Sequence, residues 1–100
     1  MPRKAVITFD LKSQTSNDYK IAYDILGNAN FQVVSPNMGI LLPNTTVMGF
    51  IPDHWGAADL RDAVMDTFRN NGLNLTSILC GIVSDWAVWG DRADYKSFAA

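Results

Sequence analysis

The chain has 100 residues, a formal net charge of −2 and 48% apolar residues, which suits one domain with a packed core rather than a disordered segment. Its ten acidic residues are all Asp, and its eight basic residues are scattered, so the basic stripe typical of proteins that grip duplex nucleic acid is missing. The single cysteine excludes an intrachain disulfide. No apolar run approaches the roughly 20 residues of a membrane span, and no signal-like segment is visible, so we expect a cytoplasmic protein without a membrane segment.

The first third of the chain predicts a strand, a helix and a second, short strand. Alternating apolar side chains indicate a strand from Lys4 to Leu11. After a polar loop, apolar residues repeat at three- and four-residue spacing, which is typical of an amphipathic helix ending near Gly27. The face of this helix consists of Tyr19, Ala22, Tyr23 and Leu26. The segment Gln32–Ser35 then predicts the second strand.

The middle of the chain is rich in turn residues. The stretch Pro36–Thr46 predicts either an exposed hairpin that binds a partner through Met38 and Ile40, or ordinary turns. The β-branched residues of Thr45–Ile51 predict a third strand.

A second helix and a last strand follow. The spacing of Leu60, Val64 and Phe68 predicts a helix over Ala57–Arg69, with Asp53 as its candidate cap. The residues Asn70-Asn71-Gly72 are typical of a helix end and predict the end of this helix. The almost wholly apolar segment Leu75–Val83 predicts a central strand.

The order βαββαβ predicts an α+β, ferredoxin-like fold in one domain over residues 1–100. Two helices cover one face of a four-stranded antiparallel sheet, because this buries both apolar helix stripes at once. The other face then needs cover, from a second copy or from the chain's own end. The aromatic segment 84–100 is expected to pack on the sheet or on a partner subunit, and Trp86 and Trp89 within it suit either packing or base stacking.

Asp10 is the most informative polar residue, because it ends the first strand between large apolar side chains. It is either a ligand of a divalent metal or a strand-end Asp that accepts hydrogen bonds from the next loop. In that loop Ser13, like its hydroxyl neighbours, either contacts phosphate or caps the helix. His54, the only histidine, is either a general base or an exposed loop residue, and Cys80 is expected to be a core thiol.

The string Val6-Ile7-Thr8-Phe9-Asp10-Leu11 is followed by a Ser-containing loop, a helix, a strand near Ser35, a hairpin, a second helix and an apolar strand. This arrangement resembles the Cas-two-like superfamily, which includes the CRISPR-associated Cas-two proteins, the VapD-type toxins and the GhoS-type antitoxin endoribonucleases. The segment Phe31–Met48, with Gly39-Ile40 in its hairpin, is most similar to the GhoS type.

The resemblance implies a ferredoxin-like domain that forms a homodimer and cleaves RNA within the chain. Asp10 matches an Asp that lies at the dimer interface of such enzymes, where two copies share a divalent metal, here expected to be Mg²⁺. Ser13 matches a small polar residue that follows this Asp. The sparse basic residues and the acidic balance depart from the pattern.

Two hypotheses follow. The first is a small endoribonuclease, a hydrolase of single-stranded RNA in a toxin–antitoxin system, with Asp10 and Ser13 as catalytic residues and Lys12, Arg3 and Lys4 as RNA-binding residues. The second is a non-catalytic dimeric module of the same fold that binds a protein partner. The apolar hairpin, the aromatic tail and the low basic content favour the second.

Overall fold

A computed structural model describes residues 2–12, 16–33, 42, 45–87 and 89 of the chain. These residues form an α+β structure with two helices and a three-stranded antiparallel sheet. The elements in chain order are β1 (Arg3–Leu11), α1 (Ser16–Asn28), β2 (Thr46–Ile51), α2 (Ala57–Asn70) and β3 (Leu75–Ile82). All five were predicted, with boundaries that differ by only one or a few residues.

The central strand of this sheet is β1, since the strand order is β2-β1-β3 and both neighbours run antiparallel to it. Ala5 pairs with Gly49 on one side and with Ile82 on the other. The prediction that the last strand is central was therefore wrong for the described sheet, because β3 pairs only with β1. The apolar residues of β3 point to both faces of the sheet, and none of them is fully buried.

The core lies between β1 and both helices. Ala5, Ile7, Phe9 and Leu11 of β1 are at most 2% exposed, as their alternation predicts. They meet the buried residues of the helices, which are Ala22, Leu26, Leu60, Val64 and Phe68. The ring of Phe9 packs edge-on against that of Phe68 at 5.6 Å between centroids, so the two helices and the central strand share one cluster.

The start of α2 differs from the sequence prediction. Gly56 is the N-cap residue, and its backbone N–H donates to a side-chain oxygen of Asp59 at 2.8 Å. Asp53 lies three residues before this position, so its assignment as the helix cap was wrong. The carboxylate of Asp59, already inside the first turn, satisfies the free backbone donor instead.

The predicted second strand is described only at its first two residues. Gln32 exchanges two backbone hydrogen bonds of 2.9 Å with Met48, on the side of β2 that faces away from β1. Val33 accepts a further backbone hydrogen bond from Leu42 at 2.9 Å. The rest of this strand and the hairpin residues Met38 and Ile40 lie outside the described residues, so a fourth strand remains a prediction.

Neither α1 nor α2 is long and apolar enough to cross a membrane, and no other helix occurs among the described residues.

Gly49 lets Phe31 pack directly on β2. A Cβ atom at this position would lie 2.7 Å from the carbonyl oxygen of Asn30 and 2.8 Å from Cδ1 of Phe31. We expect Gly49→Ala to lower the free energy of unfolding by about 1–3 kcal/mol, because the backbone and the buried ring must both move. Urea unfolding followed by circular dichroism measures this change.

Gly81→Ala is the matched control. A Cβ atom there meets only Cγ1 of Val6, at 3.5 Å, which is an ordinary van der Waals contact. We expect its stability to stay within about 0.5 kcal/mol of the wild type. Equal losses in the two variants would contradict the packing described for Phe31.

Candidate functional site

The sheet face opposite the helices, here called the open face, carries the side chains that alternate with the core residues of β1. The register sets the neighbours of Asp10 and Thr8 on this face, which are Ser77 and Leu79 of β3. The open face consists of Lys4, Val6, Thr8, Asp10, Thr46, Met48, Phe50, Ser77, Leu79 and Gly81. It is the surface on which the predicted functional residues have to act.

One end of the open face is covered by the chain itself. The ring of Trp86 lies 5.2 Å from the ammonium group of Lys4, within the range of a cation–π contact. Val6, Met48, Val83 and Trp86 help to line a cavity of about 320 Å³ at this end. Residues 83–87 therefore pass over the start of β1, while Asp10 and Leu79, toward the other end of the open face, are exposed.

Asp10 is exposed at the accessible end of the open face. The hydroxyl of Ser77 donates to Oδ2 of Asp10 at 3.3 Å, a long hydrogen bond, and the hydroxyl of Thr76 donates to the Asp10 carbonyl oxygen at 3.0 Å. The strand pairing shifts between Asp10 and Leu11, which makes Thr76 an extra residue in β3. This bulge brings two hydroxyl groups to the end of β1.

The metal hypothesis requires more ligands than one copy offers here. Among the described residues, no three side chains of His, Cys, Asp or Glu lie close enough to hold a metal ion. The Asp10 carboxylate is of the right chemical type for Mg²⁺, which prefers oxygen ligands. A site within this part of the chain would therefore need ligands from a second copy, from RNA phosphates or from water.

Two tyrosines of α1 fix the backbone near Asp10. The hydroxyl of Tyr19 accepts a hydrogen bond from the Leu11 N–H at 3.4 Å, and that of Tyr23 accepts one from the Thr45 N–H at 3.1 Å. Burial raises the pKa of Tyr23, although the hydrogen bond from Thr45 partly offsets this. Thr45 has a positive φ of 60°, so the hydrogen bond supports an uncommon backbone conformation just before β2.

The predicted basic residues separate into two groups. Lys12 is exposed next to the end of β1 that bears Asp10. Lys4 is six residues from Asp10, which is roughly 20 Å along an extended strand. Arg3 lies at the same distant end, where its guanidinium donates to the carbonyl oxygen of Trp55 at 2.8 Å. The structure thus brings Lys12, but neither Arg3 nor Lys4, close to Asp10, and Ser13 lies outside the described residues.

The remaining candidates lie away from this site. His54 is exposed between β2 and α2, 3.8 Å from Asp53, which agrees with its interpretation as a loop residue. Cys80 points to the helix side of β3 opposite Ile7 and packs against the core. Burial raises the pKa of this thiol, which disfavours the reactive thiolate.

Sequence reasoning missed Ser77 and Thr76, which hydrogen-bond to Asp10, and Arg69, which shares a cleft with Lys12. Arg69 helps to line a cleft of about 320 Å³ together with Lys12 and Thr76. Arg69, Thr76 and Ser77 are more than 50 positions from Lys12 in the sequence. They come close to the end of β1 only through the pairing of β1 with β3. No motif in the sequence indicates this register.

Comparison of the chain with protein-family models, with curated proteins and with solved structures finds no significant match. The geometry around Asp10 and the sequence resemblance therefore carry the functional argument.

The raised pKa of Tyr23 predicts a loss of stability at high pH. Above about pH 10 the tyrosine ionises in the unfolded chain before it does so in the folded chain, so rising pH favours unfolding. Tyr23→Phe removes this contribution. Its free energy of unfolding should therefore fall less steeply than that of the wild type between pH 9.5 and 11 (roughly the range in which Tyr titrates), as measured by urea unfolding.

The same comparison at pH 7 is the control, because the hydroxyl is neutral there in both states. We expect the variant to lose about 1 kcal/mol at pH 7, the usual value of a hydrogen bond such as the one from Thr45. Parallel stability curves of the two proteins through the alkaline range would show that Tyr23 is not buried as described.

Proposed function

We propose that the chain completes a ferredoxin-like sheet, with its second predicted strand at the outer edge of β2. The support is the pair of hydrogen bonds between Gln32 and Met48, which begins an antiparallel pairing on the free side of that strand. The strand order β2-β1-β3 and the position of both helices on one face are compatible with this fold.

On this scaffold we propose a Cas-two-like endoribonuclease that cleaves single-stranded RNA as a homodimer in the cytoplasm, as part of a toxin–antitoxin system. The observation that carries the proposal is the exposed carboxylate of Asp10 at the end of the central strand, on the face that the helices leave uncovered. A carboxylate in this place agrees with the resemblance to the Cas-two-like superfamily.

The proposed chemistry begins with the two oxygens of Asp10. Oδ2 accepts a hydrogen bond from Ser77, which orients the carboxylate, while among the described residues no donor is bonded to Oδ1. Two copies of Asp10, one from each subunit, would hold one Mg²⁺ ion. When bound, Mg²⁺ supplies an activated water and stabilises the negative charge that develops on the scissile phosphate.

Lys12 lies next to Asp10 in this proposal and attracts the RNA phosphate, and Ser13 orients it. Arg3 and Lys4 lie at the other end of β1, so they can contact only nucleotides that are distant from the cleaved phosphate along the RNA. Only a few phosphates are then neutralised, which suits single-stranded RNA better than a duplex.

Asp10→Asn should reduce cleavage of single-stranded RNA at least about 100-fold, because the loss of a metal-binding charge costs several kcal/mol of transition-state stabilisation. The measurement is the initial rate of cleavage of a labelled RNA oligomer in the presence of Mg²⁺, with a chelator as the blank.

Asp24→Asn is the matched control, because Asp24 is an exposed acid on α1 away from the open face, and its rate should equal that of the wild type. Equal rates for Asp10→Asn and the wild type would reject the assigned mechanism. RNA that stays intact with the wild-type protein would reject the enzyme itself.

The second candidate is a non-catalytic dimeric module that binds a protein partner through the open face. Leu79 is 66% exposed and Phe50 is 51% exposed on this face, and large exposed apolar side chains are typical of an interface.

Leu79→Asp tests the dimer that both candidates require. A buried and unpaired charge in the interface should weaken the dimer at least about tenfold, which is roughly 1.4 kcal/mol. Analytical ultracentrifugation over a concentration series measures the dissociation constant. Ala58→Asp, which adds the same charge at an exposed position of α2, should leave it unchanged.

A wild-type protein that is monomeric at all concentrations would contradict both candidates. A dimer that leaves RNA intact would favour the interaction module, and a dimer that cuts RNA would favour the enzyme.

A further inference from the structure

A cleft of about 320 Å³ lies where the end of β1, the start of β3 and the last turns of α2 meet. Two cationic side chains, those of Lys12 and Arg69, line it, and none of its lining residues in the described part of the chain is acidic. The other lining residues are Met65, Leu73, Asn74, Leu75 and Thr76. The basic residues of the chain are few and scattered in sequence, so a cleft lined by two of them is a local concentration of positive charge.

We propose that Lys12 and Arg69 bind consecutive phosphates of a single-stranded RNA that passes through this cleft on its way to Asp10. The inference identifies a binding site for the substrate of the proposed ribonuclease, and it rests on that function only for the choice of RNA as the ligand.

Backbone contacts bring together the two chain segments that carry the cations. The Lys12 N–H donates to the carbonyl oxygen of Asn74 at 2.7 Å, which ties the end of β1 to the start of β3. Gly72, with a positive φ of 74°, turns the chain sharply after α2, so that Leu73 and Asn74 follow closely on the last helical turn. These contacts bring the end of α2 close to the end of β1, so that Arg69 and Lys12 line the same cleft.

The carboxyl end of a helix normally repels an anion, because its last carbonyl groups carry partial negative charge. In α2 these groups are already hydrogen-bonded: the carbonyl oxygen of Phe68 accepts from Leu73 at 3.0 Å, and that of Arg69 accepts from Gly72 at 3.1 Å. The carbonyl oxygen of Thr67 accepts from Asn71. The repulsion of a phosphate by this helix end is accordingly reduced.

Within the described ranges, Arg69 forms an ion pair with Asp66, with 3.6 Å between Nη1 and Oδ1. The two side chains are 72% and 70% exposed, and an ion pair this open to water contributes little to stability. A phosphate with its own charge can therefore replace the carboxylate. The arrangement also means that removal of the Asp66 charge should strengthen the binding of RNA.

The cleft lies beside the backbone of Asp10, while the carboxylate of Asp10 is on the sheet face opposite the helices. Thr76 lines the cleft, and its hydroxyl donates to the carbonyl oxygen of Asp10. The partly exposed side chain of Met65 offers an apolar surface for a ribose or a base between the two phosphates. In this proposal, the RNA strand held by Lys12 and Arg69 passes around the end of β1 to reach the carboxylate of Asp10.

The test is a binding titration that prevents cleavage. A fluorescein-labelled uridine oligomer of about 12 nucleotides, longer than the few nucleotides that a small site covers, is titrated with the full chain in the presence of EDTA. Fluorescence anisotropy is recorded at several salt concentrations. Lys12→Ala and Arg69→Ala should each weaken binding several-fold and reduce the salt slope by about 0.7, the value expected for one lost contact to single-stranded nucleic acid.

Asp66→Asn is the gain-of-binding variant, and it should bind the oligomer more tightly than the wild type. Lys20→Ala and Arg61→Ala remove exposed cations outside the cleft. At each salt concentration they should leave the affinity for RNA within about twofold of the wild-type value, since charges distant from the ligand are largely screened. Circular dichroism of each variant verifies that the fold is retained.

The outcomes separate this inference from the proposed activity. Weaker binding by both cleft variants, with RNA that is never cut by the wild type under Mg²⁺, would support the cleft and reject the nuclease. Normal binding by both variants, with RNA that is cut in an Asp10-dependent manner, would reject the cleft and support the nuclease. Equal weakening by all four cation-to-Ala variants would also reject the cleft, because binding would then follow net charge alone.

Inorganic phosphate is the second probe. At equal total phosphate it should displace the labelled oligomer far less effectively than unlabelled oligomer does, because only the oligomer contacts both cations at once. Equally effective displacement would show a site for the free anion and would overturn the assignment to RNA.

Discussion

The packing of Phe9 in the middle of β1 is the constraint on which the rest of the structure depends. Its ring contacts Tyr19, Tyr23 and Phe68, at centroid distances between 5.6 and 6.3 Å, and so joins both helices to one face of the sheet. Because side chains alternate along a strand, this burial directs Asp10 to the opposite face. The position of the candidate site is therefore a consequence of how the core is packed.

The fold was largely predictable because periodicity is a local property. The two-residue alternation from Lys4 to Leu11 and the helical spacing of Leu60, Val64 and Phe68 each identify an element and its buried face. The cap of α2 was not predictable in the same way, since both Asp53 and Asp59 are plausible partners and only the backbone geometry of Gly56 decides between them. The edge position of β3 depends on sheet order, which no local pattern encodes.

Asp10 and Lys12 of the candidate site were predictable from the sequence, whereas the residues that surround them in space were not. Asp10 was identifiable because a charge at the end of an apolar strand needs an explanation. The position of its neighbour Ser77 depends on the register between β1 and β3, and a shift of one residue would place a different side chain there. Proximity in sequence was misleading for Arg3 and Lys4, because an extended strand separates them from Asp10, whereas Arg69 is close to Lys12 through the tertiary structure.

The edge position of β3 has a consequence for the behaviour of the protein at high concentration. Among the described residues no strand pairs with its outer side, so that backbone N–H and C=O groups there are available to another chain. The segment Leu75–Ile82 contains no proline and no charged residue, the usual protections of an exposed edge. Intermolecular strand addition, and with it slow self-association into β-rich aggregates, is the hazard that this architecture carries.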